Sequence, residues 1–180
     1  PIFNPDLCTG CMECTLVCPD AAIPNSVHEI HELLLTGIRE LAITEAQREA
    51  MRAQVYAIAE AVREAYRQSK EARAFHELVA EAAGKLPAKQ ATLLANFSKL
   101  VDLLADYPVA RTRPFFDAME KATPGTGGLF GVNIDPWKCT GCLECIDVCG
   151  PGALTAGEQD GPLLNRLQSR FNFMSKTPNT

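Results

Sequence analysis

The chain has 180 residues, 47 % of them hydrophobic, enough for one or two packed domains. Its formal net charge of −5 and pI near 5.2 argue against nucleic acid, whose phosphates a partner must neutralise. No apolar run reaches the length of a transmembrane segment, and a cytoplasmic location is expected.

A short extended segment, Ile2-Phe3-Asn4, leads into Cys8-Thr9-Gly10-Cys11-Met12-Glu13-Cys14-Thr15-Leu16-Val17-Cys18-Pro19. This C-x2-C-x2-C-x3-C-P spacing is that of iron–sulfur binding loops. Three thiolates on one tight loop reach three corners of a single cubane. The fourth lies a helical turn further on and faces away, so it calls for a second cluster. Gly10 gives the loop backbone conformations closed to other residues and lets its amides approach cluster sulfides. After one or two helical turns a second extended segment, Ala21-Ala22-Ile23, follows.

Residues 24–128 contain no cysteine and carry Ala, Leu, Glu and Arg at helical spacing, which predicts an all-α insertion. A first helix is expected over 26–42, with Val27, Ile30, Leu34, Ile38 and Leu41 on one face. A second is expected over 45–68, opened by a Thr44–Gln47 capping box and striped by Met51, Val55, Ile58, Val62 and Tyr66. The third runs over 70–83 to Gly84, and the fourth over 88–106 with Leu93, Leu94, Phe97, Leu100, Val101 and Leu104 inward. A short turn is expected from Pro114 to Lys121. Together these make a helical bundle. His28, His31 and His76 read as solvated, since no third ligand stands near His28 and His31. The charged residues read as an ordinary solvated face, with a docking surface as the rival reading, and the sequence does not choose between them. Pro124-Gly125-Thr126-Gly127-Gly128 reads as a linker, because the Lys-Ser or Lys-Thr pair of a phosphate loop is missing.

Beyond it, Val132-Asn133-Ile134 reads as extended, and Cys139, Cys142, Cys145 and Cys149 repeat the first run 131 residues on, with Gly141 in the place of Gly10. All eight cysteines are thereby used. Their crowding suits metal better than cystines and implies a reducing compartment. Phe3 and Trp137 read as cover that keeps water off a cluster. Ala153-Leu154 is a last short strand. The tail, 156–180, has an apolar cluster (Leu163, Leu164, Leu167, Phe171 and Phe173) with no element assigned.

Residues 1–23 and 129–155 resemble the two halves of a bacterial two-[4Fe-4S] ferredoxin. The resemblance implies an α+β fold: a ferredoxin-like domain of duplicated strand-loop-helix-strand units, interrupted by the helical-bundle insertion, with 156–180 as tail or linker. It also implies crossed ligation, with Cys8, Cys11, Cys14 and Cys149 on one cluster and Cys139, Cys142, Cys145 and Cys18 on the other. Gly150 departs from the pattern, since Pro19 holds the corresponding place in the first run. With Phe171-x-Phe173 and Pro178-Asn179-Thr180, the segment further resembles the ferredoxin domain of pyruvate or 2-oxoacid:ferredoxin (acceptor) oxidoreductases. That resemblance implies thiamine diphosphate, Mg and coenzyme A in a parent enzyme outside this segment. It implies as partners the parent's other domains or subunits and an external acceptor such as ferredoxin or flavodoxin. No nucleophile–base pair and no flavin or nicotinamide fingerprint is visible, so the segment reads as a conductor of electrons. The alternative is a free-standing ferredoxin or an electron-transfer subunit of another redox complex.

Overall fold

The computed structural model describes residues 1–69, 71–87 and 90–180. In chain order it forms β1 (Ile2–Phe3), a 3-10 turn (Pro5–Leu7), α1 (Glu13–Val17), β2 (Asn25–His28), α2 (Ile30–Glu40), α3 (Glu45–Arg52) and α4 (Val55–Gln68). There follow α5 (Phe75–Ala83), α6 (Ala91–Ala105), a π-helical turn (Arg113–Asp117), α7 (Ala118–Ala122), β3 (Leu129–Val132), α8 (Glu144–Asp147), β4 (Leu154–Thr155) and α9 (Gly161–Lys176). None of these helices is long and apolar enough to cross a membrane.

The strands make two antiparallel pairs, β1 with β4 and β2 with β3. In the second pair His28 faces Leu129, so the whole helical segment, residues 29–128, fills the connection of one hairpin. This differs from the expected helix start at residue 26. Residues 25–28 are strand because β3 offers them a ladder, which local helical periodicity does not register. The strand expected at 21–23 is absent, as Ala21 takes φ 48°, and the one expected at 132–134 is set earlier, at 129–132. Both outer edges of the β2–β3 pair are covered. Ala110 and Phe130 exchange backbone hydrogen bonds of 2.7 and 2.8 Å on one side. On the other, the Thr180 amide donates to the Val27 carbonyl at 2.8 Å and the Val27 amide donates to Asn179 Oδ1 at 2.7 Å.

The helices bury the faces that periodicity marked. Ile30, Leu34, Ile38, Met51, Val55 and Val62 are buried, as are Phe97, Leu100 and Leu104, whereas Leu94 and Val101, expected inward, are only partly covered. Each such side chain contributes about 1.5–3 kcal/mol before entropy is charged. The capping box forms as expected, with the Gln47 amide donating to Thr44 Oγ1 and the Thr44 amide to Gln47 Oε1. Close packing of α2 on α6 needs Gly37, because a Cβ there would stand 2.5 Å from Leu100 Cδ1. The expected helix over 45–68 is broken at Ala53–Gln54 into α3 and α4, with no glycine or proline to announce it. The break lets α3 pack on α6 while α4 packs on α5, a tertiary preference. The expected helix starts at Lys70 and at Ala88–Lys89 lie outside the described residues.

The tail is a helix. Asp160 caps α9 by accepting from the Leu163 amide at 2.7 Å, and Pro162 lies in its first turn. Phe173 and Met174 enter the helical core, where Phe173 stacks on Tyr107 with centroids 3.9 Å apart. A second, smaller core holds Phe3, Ile23, Ala110, Phe130 and Leu154 against the cysteines.

Candidate metal centre

The two cysteine runs fold alike. Gly10 and Gly141 have φ 74° and 75°, Met12 and Leu143 φ 65° and 69°, and Ala21 and Gly152 φ 48° and 71°. Each pair is separated by the 131-residue shift that aligns the cysteines. Left-handed backbone at Met12 and Leu143 is uncommon for residues with a side chain, and their residue types gave no sign of it. The halves are also tied reciprocally. The Asn4 amide donates to the Ala153 carbonyl and the Asp135 amide to the Ala22 carbonyl, both at 2.8 Å, again positions related by the shift. Helices α1 and α8 pack together between the runs, and Thr140 Oγ1 donates to Asp20 Oδ2 at 2.6 Å.

This arrangement leaves two cavities. One is lined by Cys8, Cys11, Cys14 and Cys149, with Phe3, Phe130 and Leu154 as its apolar wall. The other is lined by Cys18, Cys139, Cys142 and Cys145, with Gly141, Leu143 and Ile23. Each cavity therefore collects three thiols from one run and the fourth from the other. All eight are thiols, none a half-cystine. Among the described residues no three His, Cys, Asp or Glu side chains converge as a single ion requires. Four thiols spread around an apolar cavity fit instead a larger, sulfide-bridged group.

Burial pushes the Cys8 thiol up to about 11; the Gly10 amide pulls the other way, and neighbouring Cys14, Cys11 and Cys149 reinforce the rise. Burial likewise raises Cys14 and Cys145, against hydrogen bonds from Asn25 and Thr15 in the case of Cys14. Metal binding at these thiols would therefore release protons. The Ala22 amide donates to Cys18 Sγ at 3.3 Å.

The surroundings of the two loops differ. A Cβ on Gly10 would stand 3.1 Å from Thr112 Oγ1 and 3.2 Å from the Phe115 ring, so the helical segment roofs the first loop. Around Gly141 nothing lies within 4 Å. Phe115 also stacks on Phe130, with centroids 5.0 Å apart and planes at 4°. Phe3 is buried against the first cavity, as cover should be. Trp137 is not: it is 84 % exposed, and its indole NH donates to Gln168.

Two sequence readings outside the cysteines are corrected. His28 is fully buried rather than solvated, its Nδ1 2.8 Å from the Pro178 carbonyl and its Nε2 2.6 Å from Ser26 Oγ. Burial lowers its pKa below the ordinary value, against the bond to Pro178. His31 is partly covered, lying 3.0 Å from Glu29 and stacked on Tyr56. Arg63 and Glu120, read as part of a solvated face, are buried partners. Arg67 adds bonds of 2.9 and 2.8 Å to Glu120, and the Gly125 and Gly127 amides donate to it at 3.1 and 2.9 Å. The segment read as a linker is therefore pinned by a carboxylate. A pattern of charge at helical spacing does not reveal such pairing.

Residues 1–23 match a family model described as a 4Fe-4S binding domain, and residues 137–152 match another of the same description. Both runs thus carry 4Fe-4S binding sequences, which supports iron–sulfur binding and electron transfer. No curated protein and no solved structure matches the chain.

Proposed function

We propose that the chain holds two [4Fe-4S] clusters by crossed ligation in a ferredoxin-like domain and passes single electrons between redox partners. Cys8, Cys11, Cys14 and Cys149 would hold the first, and Cys139, Cys142, Cys145 and Cys18 the second. The observation that carries the reading is the grouping of four thiols from both runs around each of two apolar cavities. A bound cluster supplies one-electron chemistry at low potential, commonly near −400 mV in ferredoxins. The protein holds the thiolates, points the Gly10 amide at Cys8 and the Ala22 amide at Cys18, and keeps water from the first cavity with Phe3 and Phe130. Residues 29–128 would be an insertion in the domain's hairpin. Anaerobically prepared protein is expected to contain about eight iron and eight sulfide per chain. Stoichiometric zinc with little sulfide would contradict the reading.

The parent proposed for this segment is a thiamine-diphosphate-dependent 2-oxoacid:ferredoxin (acceptor) oxidoreductase, on the likeness of the cysteine runs and the tail. Thiamine diphosphate, Mg and coenzyme A would be bound outside this segment, and electrons would leave toward an acceptor such as ferredoxin or flavodoxin. Reduction of the clusters by pyruvate and coenzyme A, in the presence of the parent's remaining parts, tests this; reduction only by other donors would contradict it.

A further inference from the structure

Cys14 and Cys145 occupy corresponding places in the two runs, yet different groups touch them. Asn25, the first residue of β2, donates its side-chain Nδ2 to Cys14 Sγ at 3.6 Å. The 131-residue shift takes Asn25 to Ala156, which has no polar side chain, and among the described residues Cys145 accepts no side-chain hydrogen bond. Asn25 Oδ1 is buried with no partner, so the amide is turned to satisfy its donor end at the sulfur rather than its oxygen. A thiolate only accepts, and this is the orientation a ligated Cys14 needs. Asn25 is held there by β2, since its backbone is paired with Val132.

A donor on a ligating sulfur draws charge from it and stabilises the reduced, more negative state of the site. We propose that Asn25 is a positioning residue that raises the reduction potential of the cluster bound through Cys14 relative to the cluster bound through Cys145. This deepens the two-cluster reading and rests on it. Each reduction is the uptake of one electron from an external reductant, with no covalent bond formed or broken. The asymmetry shifts the resting place of an electron shared by the two sites toward the roofed first loop.

The test uses the full chain, reconstituted anaerobically, with iron and sulfide determined first. Wild type, Asn25→Ala and Asn25→Asp are titrated with dithionite at controlled potential, and each cluster is followed by electron paramagnetic resonance. In Asn25→Ala one of the two potentials should fall enough to change the distribution between the sites about tenfold, or 59 mV for one electron, while the other stays. Asn25→Asp keeps the size of the side chain and sets a carboxylate beside the thiolate, so the same potential should fall further. Unchanged potentials, or equal shifts in both, would overturn the proposal. So would loss of the Cys14-bound cluster in both variants, since the amide would then serve binding. A wild-type chain holding no two clusters overturns this proposal together with the reading beneath it.

Discussion

Ala21 holds φ 48° where the second run has Gly152 at 71°. A side chain in left-handed backbone costs about 1–2 kcal/mol, and Ala21 is exposed, so little packing offsets that cost. Ala21→Gly is therefore expected to stabilise the protein by up to about 1 kcal/mol, seen as a rise in the thermal midpoint; a fall would show that the strain is not there. The reverse holds at Glu120. Burial alone would raise its carboxyl, but the bonds from Arg67, the Gly125 and Gly127 amides and Arg63 outweigh it and hold it at about 2. Its stabilisation is present above pH 4.5, the ordinary value, and is lost as pH falls toward 2. Glu120→Gln leaves the buried Arg63 with only the exposed Glu60 carboxylate, 3.5 Å away, as counter-charge and should cost about 3 kcal/mol in denaturant unfolding at pH 7. An unchanged midpoint would mean that solvent replaces the pair.

At the scale of elements, the extended segment after α9 is clamped to β2 by His28. Its pKa is lowered by burial, so the unfolded chain takes up the proton first. The clamp's contribution is complete above pH 6.5 and is lost as pH falls through the depressed folded value. Protection of the Val27 and Thr180 amides, measured against their intrinsic exchange rates, should fall over that range in wild type and lose this pH dependence in His28→Phe; a wild-type rate that follows only the intrinsic chemistry would contradict the clamp. The helical segment is similarly joined to the first loop, through Thr112 and Phe115 against Gly10 and through Ala110 against Phe130. Replacing residues 30–126 with a short Gly-Ser linker should speed air-induced iron loss from the first-run site several-fold and leave the second near wild type. Equal loss from both would refute a one-sided roof. Amphipathic stripes made the helices legible, because burial of a face at a period of 3.6 is written locally. The break between α3 and α4, the strand at 25–28 and the edge cover by Ala110 and Asn179 depend on partners far along the chain. The cysteine spacing marked the eight thiols that line the two cavities, whereas the Asn25–Cys14 and Arg63–Glu120 contacts join residues whose pairing no local pattern records.

Across the whole molecule, charge is unevenly placed. Residues 1–23 and 129–160 carry acidic groups at Asp6, Glu13, Asp20, Asp135, Glu144, Asp147, Glu158 and Asp160 against the single cation Lys138. Bound clusters would add to that negative charge, to about −9 for the whole chain with two oxidised cubanes on eight thiolates. A cation-rich redox partner is expected to associate there at a rate that falls with ionic strength. The helical segment gives the molecule a second core and meets the first loop at Gly10, while nothing lies within 4 Å of a Cβ on Gly141; the two runs are joined at α1 and α8. How the two runs share their thiols is decisive. Iron-edge anomalous diffraction from anaerobically reconstituted crystals measures this directly. Two groups of iron are expected, one bonded to Cys8, Cys11, Cys14 and Cys149 and the other to Cys139, Cys142, Cys145 and Cys18. A single group, or Cys18 bonded to the same irons as Cys8, Cys11 and Cys14, would contradict the account.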